Sequence, residues 1–189
     1  MTCDRCQDAR IKRKSMQTEW GDDQRGLTAQ DLFQRAYAYQ QSGQLEEAVL
    51  LYRQSIATLP TAEGYTFLGW AYRLQGKTEE AIQSCEYAIL IDPTLGNPYN
   101  DIGAYLIDLG HYTRAIQWLE KATECKTYSS KHYPWFNLGR AYAGLGDVVR
   151  AWSCYARACE AMPNYRPALE ALQLLESRQK GPAIDHVRW

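Results

Sequence analysis

The stretch "LGWAYRLQGKTEEAIQSCEYAILIDP", Leu68–Pro93, decides the fold, because Gly69 lies in the middle of a strongly helical pattern. Glycine in a helix interior costs about 1 kcal/mol relative to alanine. The pattern nevertheless returns from Ile102 and from Leu138, and it is present from Arg35 with alanine in place of glycine. Such a repeated cost predicts that a second helix packs closely against the small residue, where a leucine would overpack the contact.

Four copies of the pattern align on the alanine that follows each loop, in steps of 33, 34 and 36 residues: Ala48, Ala81, Ala115 and Ala151. Three further marks fall in register with these alanines. The small residue of the first helix lies twelve positions earlier, at Ala36, Gly69, Gly103 and Gly139. A glycine suited to a left-handed helix C-terminus lies five positions earlier, at Gly43, Gly76, Gly110 and Gly146. A proline that stops the second helix lies twelve positions later, at Pro60, Pro93 and Pro163, with Thr127 as the exception.

On these residues the chain resembles the tetratricopeptide repeat family over roughly Ala29–Pro163. The resemblance implies an all-α fold, a right-handed superhelical solenoid of helix-turn-helix repeats. We predict repeats at 29–61, 62–95, 96–131 and 132–165, and a capping helix at 166–180. Residues 1–28 lack periodicity and are expected to be disordered, and 181–189 are expected to form a loose tail. The third repeat lacks its proline and "CKTYSSKHYP" adds two residues, which predicts a longer turn with Pro134 in the first turn of the next helix.

The resemblance also implies a binding surface, because the first helices of such repeats line a concave groove. Carried over by position, the candidate groove residues are Phe33, Tyr37, Phe67, Trp70, Arg73, Asn97, Asn100, Asp101, Tyr133, Phe136, Asn137 and Arg140. Aromatic side chains anchor many interfaces, and asparagine can pair with a peptide main chain. We therefore predict a non-enzymatic adaptor that binds a peptide or protein segment. Trp70 and Asn100 are expected to be exposed, whereas Phe33 and Phe67 fit either groove exposure or packing between repeats.

One binding mode known in the family can be argued against. Repeat domains that grip the C-terminal carboxylate of heat-shock chaperones use lysine, arginine and asparagine at fixed groove positions. The groove predicted here contains no lysine, and Phe33, Tyr37 and Phe67 occupy three of those positions. A carboxylate-clamp co-chaperone is therefore not expected.

Composition narrows the remaining classes of function. The formal net charge of −1, from 21 basic and 22 acidic residues, supplies no general attraction to nucleic acid. No apolar run approaches the length of a membrane span, and the N-terminus lacks the apolar region of a secretory leader. We expect a cytoplasmic protein with reduced cysteines, no cofactor and no catalytic residues.

Two alternatives remain open. Cys3 and Cys6 form a lone CxxC, a weak candidate for a metal or redox site because a structural zinc ion needs four ligands. Self-association is the other alternative, since Trp118 and Trp152 on second helices are expected to be exposed and could build a homo-oligomer.

Overall fold

The computed structural model describes residues 28–179, and this range is helical with short connections. The predicted tails, including Cys3 and Cys6, lie outside the described residues, except for Thr28, which belongs to the first helix. The helices are α1 (28–41), α2 (Leu45–Thr58), α3 (Ala62–Leu74), α4 (Thr78–Ile91), α5 (Gly96–Asp108), α6 (Tyr112–Glu124), α7 (His132–Gly144), α8 (Val148–Ala161) and α9 (Arg166–Gln179). No strand occurs within this range, and the exact boundaries between repeats stay a prediction.

The loop glycines end the first helix of each pair as predicted. Gly43, Gly76, Gly110 and Gly146 have φ angles of 77–79°, in the left-handed region that other residues rarely adopt. At the end of α3, Gly76 N–H donates to the Arg73 carbonyl at 3.0 Å and Lys77 N–H donates to the Tyr72 carbonyl at 2.9 Å. These bonds satisfy carbonyl groups that the helix end would otherwise leave without partners.

The small residues of the first helices lie where a second helix approaches, which confirms the close-packing prediction. A Cβ added to Gly103 would lie 2.4 Å from Leu119 Cγ, and one added to Gly139 would lie 2.4 Å from Tyr155 Cε1. Gly69 is less tightly enclosed, because its nearest neighbour atoms would be 3.1 Å away. The unfavourable helix propensity of glycine is thus offset by helix contacts that larger side chains would prevent.

The contacts divide the chain into two compact units, and the division falls after Ala88, within α4. In the first unit, α1, α2 and α3 enclose a core that includes Phe33, Tyr52 and Leu68. In the second unit, Leu119 is fully buried beside α5, and Tyr155 and Leu175 connect α8 with the capping helix α9. Each unit therefore has its own apolar centre.

The α6–α7 connection, predicted to be longer than the others, is filled by its own side chains. Tyr128 is buried above Gly96, whose missing Cβ would otherwise lie 2.5 Å from the Tyr128 side chain. Lys131 Nζ donates to the carbonyl groups of Thr123 and Cys125 and so closes the end of α6. Pro134 lies in the first turn of α7, as predicted.

Candidate binding surfaces

The first unit gathers five aromatic rings of α1, α2 and α3 into one cluster. Phe33 and Phe67 meet edge to face with centroids 5.1 Å apart, and Tyr52 lies beneath them in the core. Tyr37 and Trp70 contact Phe67 edge to face at 5.7 and 5.3 Å. Aromatic pairs in this geometry contribute more than their buried area alone. The cluster is therefore a rigid platform built on the core.

The exposure of these side chains decides which of them could bind a partner. Tyr37 is 40% exposed and Trp70 is 41% exposed, which confirms the expectation for Trp70. Leu74, one turn beyond Trp70, is 60% exposed. Phe33 is buried, so it belongs to the core, and Phe67 is half-buried between core and surface. We call Tyr37, Phe67, Trp70 and Leu74 the aromatic face.

Polar groups also lie on α1 and α3, the two helices that carry the aromatic face. Gln40 is buried, and its Oε1 has no hydrogen-bond partner among the described residues. Arg73, a predicted groove residue, is half-buried at the end of α3. Burial raises the pKa of Tyr52 beneath the cluster above the usual range of a tyrosine, so its hydroxyl adds no charge to this surface. A ligand on the aromatic face would therefore meet apolar rings with Arg73 as a charged neighbour on α3.

The predicted groove residues of the second unit form a hydrogen-bonded network between α5 and α7. Asn137 Nδ2 donates to Asn100 Oδ1 at 3.0 Å, and Asn100 Nδ2 donates to Asp101 Oδ1 at 3.3 Å. Arg140 donates to Asn137 Oδ1 at 3.1 Å and forms an ion pair with Asp108 at 3.0 Å. The sequence places these residues in one set, and the structure brings them together.

The expected exposure of Asn100 is wrong, because only 7% of this residue is exposed. Asn137 and Asp101 are buried to the same degree, and Asn97 alone of the three asparagines is exposed. The reason is that α5 and α7 meet at this point, where Asn137 donates to Asn100 across the two helices and Asn100 donates to its neighbour Asp101. Their bonds contribute to repeat packing, and they are less available to a peptide than the sequence suggests.

Aromatic side chains also gather where α7 begins. Tyr133 is 44% exposed and contacts Tyr165 edge to face at 5.8 Å, while Phe136 packs against Tyr155 and Tyr165. The His132 ring contacts the Tyr133 ring in a tilted arrangement with centroids 4.1 Å apart, and burial lowers the pKa of the His132 imidazole. Tyr165 follows the last aligned proline by two residues and was not among the predicted candidates.

The cysteines and tryptophans of the second helices were candidates for other functions. Cys85 and Cys154 are buried, and burial raises the pKa of the Cys154 thiol to about 11. Among residues 28–179, no group of three or more metal-ligating side chains is close enough to hold a metal ion.

Trp152 is exposed as expected, but the expectation that Trp118 is exposed is wrong. Trp118 is half-buried because it packs against Tyr99 and carries Lys121 over its ring.

Comparison with known sequences shows to which family these helix pairs belong. Sequence models of the tetratricopeptide repeat match residues 32–58, 62–95 and 97–126, which correspond to the first three predicted repeats. The chain belongs to the tetratricopeptide repeat family. The α7–α8 pair follows the matched segments and shares the loop glycine and close helix approach of the other repeats. Such repeats form an interaction fold that is generally non-catalytic and binds protein partners.

Similar proteins extend the family assignment without defining a role. Tetratricopeptide repeat protein 7A of Homo sapiens is 27% identical over 128 residues, which cover 67% of this chain but 15% of that protein. The Pseudomonas aeruginosa pilF structure has a TM-score of 0.77 and 18% identity, covering 82% of this chain and 71% of that one. PilW, described as a widely conserved type IV pilus biogenesis factor, has a TM-score of 0.74 and 19% identity, covering 80% of this chain and 70% of that one. MamA of Desulfovibrio magneticus RS-1 has a TM-score of 0.69 and 18% identity, covering 81% of this chain and 86% of that one.

At these identities the structures show the fold alone, an all-α tetratricopeptide repeat solenoid. The helices of residues 28–179 are too short or too polar for any of them to cross a bilayer.

Proposed function

We propose that this tetratricopeptide repeat protein is a non-enzymatic adaptor that binds a protein segment along the first helices of its repeats, with the aromatic face as the principal anchor. The observation that carries the proposal is that Tyr37 and Trp70 are 40% and 41% exposed although both pack on Phe67. Exposed aromatic side chains held by core contacts lose little conformational entropy on binding.

The partner that fits this face is an apolar or aromatic side chain on an extended or helical segment. The exposed part of Trp70 corresponds to about 100 Å² of ring surface, and covering it is worth about 2 kcal/mol. Asn97 and Tyr133 remain the most accessible of the predicted residues in the second unit.

Site-specific photo-crosslinking tests this proposal. The photoreactive amino acid p-benzoylphenylalanine would replace Leu74 on the aromatic face in one sample and Leu90 in a matched control. Leu74 and Leu90 are both exposed helix residues, at 60% and 78%. We expect a partner protein to be crosslinked from position 74 and not from position 90. Crosslinking of the same proteins from both positions would move the binding site away from the aromatic face.

Self-association is a second candidate, supported by one observation on α8. Val149 is 79% exposed and Trp152 is 45% exposed, so an apolar patch faces outward there. Trp118 no longer supports this alternative, since it packs against its own unit. A molar mass that rises with protein concentration in wild type, but not in Trp152→Ala, would favour self-association.

A cytoplasmic location stays a prediction from the sequence.

A further inference from the structure

A cavity lies on the side of α7 opposite to its predicted groove residues. This cavity of about 220 Å³ is lined by residues of three helices: Glu120, Trp135, Leu138, Tyr142, Arg150, Ser153, Cys154 and Arg157. Trp135, Leu138 and Tyr142 follow one stripe of α7 at helical spacing. Since each residue turns the helix by about 100°, Trp135 lies roughly opposite Tyr133 and Asn137. The cavity is therefore separate from the proposed adaptor surface.

Two arginines of α8 are held over this cavity by aromatic rings of α7. The guanidinium carbon of Arg150 lies 4.5 Å from the centroid of the Tyr142 ring, and that of Arg157 lies 4.6 Å from the centroid of Trp135. Both the arginines and the rings are seven residues apart, so two matching cation–aromatic pairs lie about 10 Å apart along the helices. Stacking occupies the faces of the guanidinium groups and leaves N–H groups at their edges available to a ligand.

The charges around the cavity define what it can bind. Asp147 accepts a hydrogen bond from Arg150 Nε at 2.6 Å, and Tyr142 also interacts with this guanidinium group, so the Arg150 side chain is fixed in place. Arg157 is exposed and forms no ion pair with another described residue. Glu120 is the carboxylate of the lining itself, and together with Asp147 it equals the charge of the two arginines, so no strong long-range field results. Recognition here would be short-range, through paired hydrogen bonds from guanidinium to carboxylate.

We propose that this cavity, the outer arginine pocket, binds an acidic protein segment in which two carboxylate side chains are three residues apart. In a polyproline II conformation, residues i and i+3 lie on the same side of the chain and about 9 Å apart. That distance matches the spacing of Arg150 and Arg157. A β-strand matches less well, since its residues on one face are about 7 or 13 Å apart. Glu120 disfavours further acidic residues between the two anchors.

The test measures fluorescence anisotropy of labelled proline- and alanine-rich peptides with the full chain. The probes carry two glutamates three residues apart, two glutamates two residues apart, or two glutamines three residues apart. We expect saturable binding of the first peptide, at least about tenfold tighter than that of the other two. No saturable binding of the first peptide, or equal binding of all three, would overturn the proposal.

Variants of the protein locate the binding. Arg157→Gln should weaken binding of the first peptide at least about tenfold. Arg53 is an exposed arginine of α2, and the matched control Arg53→Gln should leave binding of that peptide unchanged. Arg157→Glu should restore binding to a peptide in which the corresponding glutamate is replaced by lysine. An equal loss of peptide binding in Arg157→Gln and Arg53→Gln would show that only general electrostatics is at work, and this would overturn the proposal. Arg157-dependent binding of a phosphopeptide or single-stranded RNA, without binding of the acidic peptide, would also contradict the proposal.

Discussion

Replacing Gly103 with alanine should destabilise the second unit, although alanine is the better helix former. The added Cβ would lie 2.4 Å from Leu119 Cγ and 2.5 Å from Leu119 Cδ2, whereas carbon atoms in ordinary contact are about 3.5–4.0 Å apart. Either α5 and α6 separate by about 1 Å or Leu119 leaves its rotamer. Overpacking costs about 1–3 kcal/mol and the gain in helix propensity is about 1 kcal/mol, so we expect a net loss of about 1 kcal/mol in the free energy of unfolding.

Urea unfolding followed by circular dichroism measures this loss, and a double-mutant cycle with Leu119→Ala assigns it to the contact. Leu119→Ala alone leaves a cavity at a fully buried position. In its presence the new Cβ of Gly103→Ala has space and only the gain in helix propensity remains, so the double variant should be more stable than the sum of the single losses by about 2 kcal/mol, the overpacking cost. Stabilisation by Gly103→Ala, as propensity alone predicts, or additivity of the two changes would refute the reasoning.

Two further predictions concern cysteine reactivity and acid stability. Because burial raises the pKa of Cys154 to about 11, its thiolate fraction at neutral pH should be about 100-fold below that of a free cysteine; brief alkylation with mass spectrometry should show correspondingly slow labelling, and labelling at the rate of glutathione would contradict this. Asp147 accepts a hydrogen bond from the Arg150 backbone at the start of α8, and its pKa is lowered by bonds to Arg150. The stabilisation is therefore present above the unfolded-state pKa and lost as pH falls through the folded pKa. Asp147→Ala should lower the urea midpoint at neutral pH, and the difference from wild type should disappear in acid; a difference that persists in acid would exclude the carboxylate as its source.

The parts of the fold that were predictable from the sequence are those in which local geometry restricts the residue type. A left-handed backbone at Gly76 and a close helix approach at Gly103 each strongly favour glycine, so their recurrence indicates both the loop and the partner helix. A proline such as Pro163 ends α8 for an equally local reason. These restrictions repeat along the chain, which is why the repeat fold is visible in a single sequence.

The candidate site was less predictable, because exposure depends on partners that are distant in sequence. Asn100 is buried where it accepts a hydrogen bond from Asn137, 37 residues away, and Trp118 is covered by Tyr99. Position within a repeat indicates which side of a helix a residue occupies, and it does not indicate what neighbouring side chains do there. The outer arginine pocket did leave a signal, namely the seven-residue spacing shared by its rings and its arginines, but that signal has meaning only once α7 and α8 are paired.

The most direct test of the central claim is a binding titration of the crosslinked partner against wild type, Trp70→Ala and Trp152→Ala. The two tryptophans are exposed to nearly the same degree, 41% and 45%, and only Trp70 belongs to the aromatic face. We expect Trp70→Ala to raise the Kd by roughly 30-fold, the equivalent of about 2 kcal/mol, while Trp152→Ala leaves the Kd unchanged. Unchanged affinity in Trp70→Ala, or an equal loss in both variants, would contradict the assignment of the aromatic face as the binding site.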